Sequence, residues 1–205
     1  MQGFVSGYYR FAVWATRLAY LNILWIAFTI LGLGIFGITP ATVAMFAVTR
    51  KWVHRETDIP IFKTFWESYK KEFIQANILG IILFLIAYLL VIQFNILYHQ
   101  ESLMYKLASF SIVALMILYA IIITYFFPIF VHFDLRTFDY IKWPFIIGIV
   151  HPILTIVLIV GIGILVNILL TTIPAMLFFF GGSGISYIVM YGVNLTFSKY
   201  EAKDE

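Results

Sequence analysis

Charge is missing from four long stretches of this chain. Leu18 to Thr49, Phe73 to Gln100, Leu107 to Phe133 and Trp143 to Ser198 contain no Asp, Glu, Lys or Arg over 32, 28, 27 and 56 residues. A helix needs about 20 apolar residues to cross roughly 30 Å of hydrocarbon, so each run holds at least one crossing. All 23 charges fall in the remaining 62 of 205 residues, which are scattered in short segments with no room for a soluble domain. With 63% apolar residues and a mean hydropathy of +1.00, the chain reads as one polytopic all-α membrane domain over residues 1–205.

The runs of 28 and 27 residues each predict one helix and the run of 56 predicts two. The run of 32 is interrupted by Gly32, Gly34 and Gly37, then by Thr39-Pro40-Ala41, the pattern of an N-cap threonine and a proline at the first helical position. It therefore predicts a helix from about Trp14 to Gly34 and a short second one from Pro40 to about Arg55. The total is about six, with the completeness of the second crossing left open. The apolar run after Arg17 is too long for a signal-peptide core and lacks a small-residue cleavage site, so the first helix is expected to remain.

Basic residues set the orientation. Six crossings with the N-terminus inside place 12 of the 13 Lys and Arg in the cytoplasm: Arg10, Arg17, six between Arg50 and Lys71, Arg136, Lys142, Lys199 and Lys203. Only Lys106 is then outside. Five crossings give at best 10 against 3. The expectation is a multi-pass plasma-membrane protein with both termini cytoplasmic, its net charge of +3 serving orientation rather than nucleic-acid binding. Trp14, Trp52, Trp66 and Trp143 adjoin the inner charges, as an interfacial aromatic belt requires.

Between helices two and three, Asp58-Ile59-Pro60 offers a cap and a helix start. Phe62, Phe65, Trp66, Tyr69 and Phe73 then recur at i, i+3, i+4, i+7 and i+11, while Lys63, Glu67, Lys70 and Lys71 take the other face. The pattern predicts a cytoplasmic amphipathic helix in the membrane interface, either a lipid anchor or a docking surface for a partner.

No ionisable side chain other than His151 lies deep in an apolar run, and the chain has no cysteine, no His-Glu-x-x-His, no phosphate-cradling glycine loop and no Gly-x-Ser-x-Gly elbow. No catalytic residue, cofactor or metal site is therefore expected. His151 precedes Pro152, which has no amide proton for the Gly148 carbonyl, so the imidazole is a candidate to satisfy the kink or to contact a solute. Asn22, Asn77 and Asn194 each stand five residues from an inner charge and are candidates for one polar layer with His151. Gly181-Gly182-Ser183-Gly184 reads as the outer turn between helices five and six.

Asn22-Ile23-Leu24-Trp25, Thr39-Pro40-Ala41, Arg50-Lys51-Trp52 and the stretch from Asp58 to Trp66 resemble the YesL-like family of bacterial membrane proteins, most firmly over about Trp14 to Gly80. The resemblance implies a small plasma-membrane protein of unestablished function, often encoded beside carbohydrate ABC importer components, with no catalytic residues to transfer. The leading expectation is a non-enzymatic accessory or regulatory protein whose partners are the bilayer and an ABC permease or another membrane protein. A small-solute transporter or channel is the alternative, and a homo-oligomer stays open.

Overall fold

The computed structural model describes residues 2–201, with side chains described over 7–197. Lys203 therefore lies outside the described residues and Lys199 outside the described side chains. The described chain is an all-α membrane protein of seven helices: α1 Gln2–Leu31, α2 Ile35–Val53, α3 Ile61–Tyr98, α4 Leu103–His132, α5 Asp139–Val150, α6 Pro152–Thr172 and α7 Pro174–Glu201. Five contain stretches long and apolar enough to cross a membrane: Gly7–Leu31 in α1, α3, α4, α6, and Pro174–Phe197 in α7.

α2, the helix of doubtful completeness in the sequence, is the centre of the bundle. It packs on α1, α3, α4 and α7, and ten of its 19 residues are buried. Its length of about 28 Å nearly matches the hydrocarbon thickness. It begins at Ile35 rather than Pro40, because the chain reverses at Leu33 and Gly34, with φ of 58° and 76°. Gly34 supplies the left-handed conformation that side chains resist. Gly32 lets the two helices touch, since a Cβ there would stand 2.3 Å from the Gly37 Cα. The turn is thus finished before Thr39, and Pro40 lies inside the helix instead of capping it.

α1 and α2 run antiparallel. The Trp14 and Trp52 rings are 5.6 Å apart, and the Trp25 Nε1 donates to Thr42 Oγ1 at 3.0 Å nearer the turn. Arg17 then reaches Asp58, beyond the end of α2, at 3.0 Å. The hairpin therefore returns the Arg50 to Lys71 segment to the Arg17 end, the same-side arrangement that six crossings require. α1 extends back past Trp14 to Gln2, and Trp52 is a core residue at 2% exposure rather than part of a lipid-facing belt.

The amphipathic segment is not a separate interfacial helix. It forms the first turns of α3, which continues unbroken for 38 residues. Pro60 occupies its N-cap, and Asp58 pairs with Arg17 instead of capping. The aromatic stripe turns inward: Phe28 lies 5.2 Å from Phe65, 5.4 Å from Trp66 and 5.0 Å from Tyr69, ring centre to ring centre. Burying these rings against α1 removes more apolar area from water than laying them on headgroups, which leave one side of each ring wet.

The run from Trp143 holds a break as well as a turn. His151, at φ −118° and ψ 62°, separates α5 from α6, and the next reversal comes at Ile173 just before Pro174. Gly181 to Gly184 are consequently inside α7 and form no turn.

Candidate functional site

Two of the residues picked out in the apolar runs, Asn22 and Asn77, bond to separate helices. Asn22 is 1% exposed and inserts its amide into α7, donating from Nδ2 to the Phe178 carbonyl and accepting from the Ser183 backbone amide at 3.0 Å. Gly182 makes this approach feasible, because a Cβ there would sit 2.9 Å from Asn22 Oδ1. Asn77 donates to Phe73, one turn back in its own helix, at 2.8 Å. Asn194 is half-buried on α7. Asn22 and Asn77 donate to different backbone carbonyls, and among the described residues no hydrogen bond joins one of these two amides to the other.

His151 supplies the break between α5 and α6, but Thr155 takes the carbonyl that Pro152 leaves open. The Thr155 hydroxyl lies 2.8 Å from the Gly148 carbonyl and 2.9 Å from the His151 carbonyl and shares its single proton between them, and the Tyr125 phenol lies 2.8 Å from it. A hydroxyl one turn beyond a proline reaches the vacated acceptor with little loss of side-chain freedom, whereas an imidazole must fold back over its own turn.

The polar groups do converge at the Arg17 end. The C-terminal turn of α2, the first turns of α3, the end of α4 and the start of α5 enclose an open cleft of about 710 Å³. On α3, Thr64, Ser68, Lys71 and Gln75 recur at i, i+4, i+7 and i+11 and form its wall, with Arg50 and Lys51 opposite. Val43, Ala47 and Phe130 make an apolar floor, while Glu67, Glu72 and Asp134 bring carboxylates. The sequence assigns the face opposite the aromatic stripe to Lys63, Glu67, Lys70 and Lys71, of which Glu67 and Lys71 line the cleft; the spacing of Thr64, Ser68, Lys71 and Gln75 is the signal that marks the wall itself. The wall's orientation toward α2 rather than open water was not legible in that spacing.

Two contacts fix the cleft's frame. Arg50 Nη1 donates to the Val131 carbonyl and ties α2 to the last turn of α4. The Tyr140 phenol donates to the Phe133 carbonyl and accepts from the Leu135 amide, both at 3.1 Å, so it closes the loop between α4 and α5. Burial pushes its pKa up, which keeps the donating proton in place. His132, at the rim, stacks on His54 at 5.7 Å and packs on Phe197 at 4.4 Å, bringing α7 to the same end. Among the described residues no group of three His, Asp or Glu is placed to hold a metal ion.

The residues proposed from the sequence as a docking helix divide. Phe65 and Tyr69 are buried by their own chain, Phe73 is half-buried, and Phe62 and Trp66 keep a partial outer edge. Lys63, Lys70 and Lys71 remain exposed, Lys63 against Glu67 at 3.9 Å, Lys71 against Glu72 at 3.1 Å and Lys70 over the Trp66 ring at 4.9 Å. Such exposed pairs contribute little to stability, so the charged face is available to other molecules.

Residues 18–94 match the family model described as a protein of unknown function, DUF624. The chain is similar to three uncharacterized proteins of Bacillus subtilis (strain 168). It is 38% identical to YteU over 192 residues, covering 94% of this chain and 86% of that protein. It is 34% identical to YesL over 201 residues, covering 98% and 92%, and 36% identical to YesV over 191 residues, covering 91% and 89%. No solved structure has significant similarity to it. Carried by near full-length similarity to these relatives, the chain belongs to the YesL-like DUF624 family.

Proposed function

We propose that this protein is a non-enzymatic accessory or regulatory component of a carbohydrate ABC uptake system in the plasma membrane. In this reading its charged end and both termini face the cytoplasm, and it docks on the permease. The observation that carries the reading is the concentration of exposed charge at one end of the bundle, where Lys63 and Lys71 side chains are 71% and 82% exposed, against Glu101 and Lys106 near the other end. The other end offers turns such as the one at Leu33 and the short link between α3 and α4. The positive-inside tendency supports the orientation. The carbohydrate connection rests on the company the family keeps and on nothing in the site itself.

With the aromatic stripe folded inward, the contact surface is the polar outer face of the first turns of α3 together with lateral faces of the bundle. Affinity purification from membranes in mild detergent is expected to recover a sugar permease, and Lys63→Glu with Lys70→Glu is expected to lose it. Recovery of no permease, with sugar uptake unchanged on deletion, would overturn the reading.

One observation favours a second reading, a small-solute transporter: the cleft reaches past its charged mouth to Val43 and Ala47 on the central helix. Solute flux through proteoliposomes tests this directly, and flux equal to that of empty liposomes counts against it.

A further inference from the structure

Three cations, Arg50, Lys51 and Lys71, and three carboxylates, Glu67, Glu72 and Asp134, line the cleft, but among the described residues no carboxylate pairs with the two cations of α2. Arg50 is half-buried, and among the described residues its hydrogen bond goes to the neutral Val131 carbonyl rather than to a carboxylate. Lys51, adjacent and also half-buried, has neither an ion pair nor a side-chain hydrogen bond there. The nearby carboxylates are engaged or peripheral: Glu72 is held by Lys71 at 3.1 Å, Glu67 leans toward Lys63 at 3.9 Å, and Asp134 is exposed at the rim. A guanidinium cannot shed its proton to escape burial, so a half-buried cation without a counter-charge is held at a cost.

The wall facing the two cations carries hydrogen-bonding groups. Thr64, at 9% exposure, and Ser68 present hydroxyls, and Gln75 an amide, none with a side-chain partner among the described residues. With Glu67 and Glu72 of the same wall paired to Lys63 and Lys71, the two cations of α2 and the neutral donors Thr64 and Ser68 suit a tetrahedral anion with several acceptor oxygens, and the planar guanidinium matches two of those oxygens at once. We propose that this cleft binds a phosphate-bearing anion between Arg50 and Lys51 on α2 and Thr64 and Ser68 on α3. The phosphate is that of an anionic phospholipid headgroup or of a soluble phosphate ester. The cleft's volume of about 710 Å³ accommodates either, and its position at the end of the bundle places it within reach of headgroups and of the aqueous phase. The proposal does not depend on docking to a transporter.

The test uses the full chain in phosphatidylcholine nanodiscs, with the thermal midpoint read by tryptophan fluorescence. One arm titrates inorganic phosphate against chloride at matched ionic strength, and the other replaces part of the lipid with phosphatidylglycerol. A ligand that binds the folded state raises the midpoint with concentration. The proposal expects such a rise in at least one arm: a rise with phosphate alone assigns a soluble ester, and with phosphatidylglycerol alone a lipid. Lys51→Gln, which disturbs no internal contact, should weaken the response about tenfold, as loss of one charge-assisted contact does. Ser68→Ala should weaken it less, and Lys63→Gln, outside the cleft, should leave it intact. The proposal is overturned by no rise in either arm, by an unchanged response in Lys51→Gln, or by equal losses in Lys51→Gln and Lys63→Gln.

Discussion

Asn22→Ala separates packing from polar locking in this bundle. The side chain makes two hydrogen bonds to α7, one to the Phe178 carbonyl and one from the Ser183 amide at 3.0 Å, at a site 1% exposed. Interhelical hydrogen bonds in membranes average about 0.6 kcal/mol and reach about 1.7 kcal/mol. Two together, with a small cavity left beside Gly182, put the expected loss at about 1.5–3 kcal/mol. The companion variant is Gly182→Ala, whose Cβ would stand 2.9 Å from Asn22 Oδ1 and 3.4 Å from the Trp25 ring. Overpacking there should cost about 1–3 kcal/mol, offset in part by alanine's helix propensity advantage of about 1 kcal/mol. Removing Asn22 first takes away the nearest obstructing atom, so the double variant should be more stable than the sum of the single losses by at least about 0.5 kcal/mol. Reversible unfolding in mixed detergent micelles, followed by circular dichroism, measures all three. An Asn22→Ala loss below about 0.5 kcal/mol, or strict additivity of the pair, would refute the idea that this amide clamps α1 to α7.

Other substitutions probe the remaining joints. Gly32→Ala places a methyl 2.3 Å from backbone and should prevent closure of the α1–α2 hairpin, whereas Gly161→Ala meets nothing within 4 Å and should be neutral or slightly stabilising; detergent-solubilised yield and melting temperature compare them. Thr155→Val keeps the shape but removes the hydroxyl shared between the Gly148 and His151 carbonyls, with an expected loss of about 1–3 kcal/mol in the same unfolding assay. Phe65→Ala empties a site at 0% exposure among the rings around Phe28 and should cost about 3–5 kcal/mol, while Phe62→Ala, at a site 50% exposed, should cost clearly less. For topology, single cysteines in this cysteine-free chain at Leu33, Ser102 and Thr172 should react with a membrane-impermeant thiol reagent from outside, and one at Arg55 should be protected. Labelling of Arg55→Cys in intact cells would overturn the cytoplasmic assignment of the charged end.

The class of the fold was legible in the uncharged runs alone. Hydrocarbon excludes charge at any position along a crossing helix, so uncharged runs reveal membrane helices without regard to what packs on what. The same one-dimensional rule placed Arg17 and the Arg50 to Lys71 segment together, and the antiparallel α1–α2 hairpin joins them through Asp58. Which face of each helix meets protein and which meets lipid was decided only in three dimensions, because lipid tails are as apolar as leucine and leave no amphipathic contrast to read. The aromatic stripe of α3 illustrates this: Phe65 and Tyr69 looked equally suited to headgroups or to a partner, and the rings around Phe28 settle the matter. Glycine and proline were likewise ambiguous, since the residues that permit a turn also permit close helix contact. Gly182 serves the contact, against Asn22, and Pro40 sits within α2, because the reversal at Gly34 had already started that helix. The polar cleft had its period written in Thr64, Ser68, Lys71 and Gln75, but only packing brought Arg50 and Lys51 from another helix to face them.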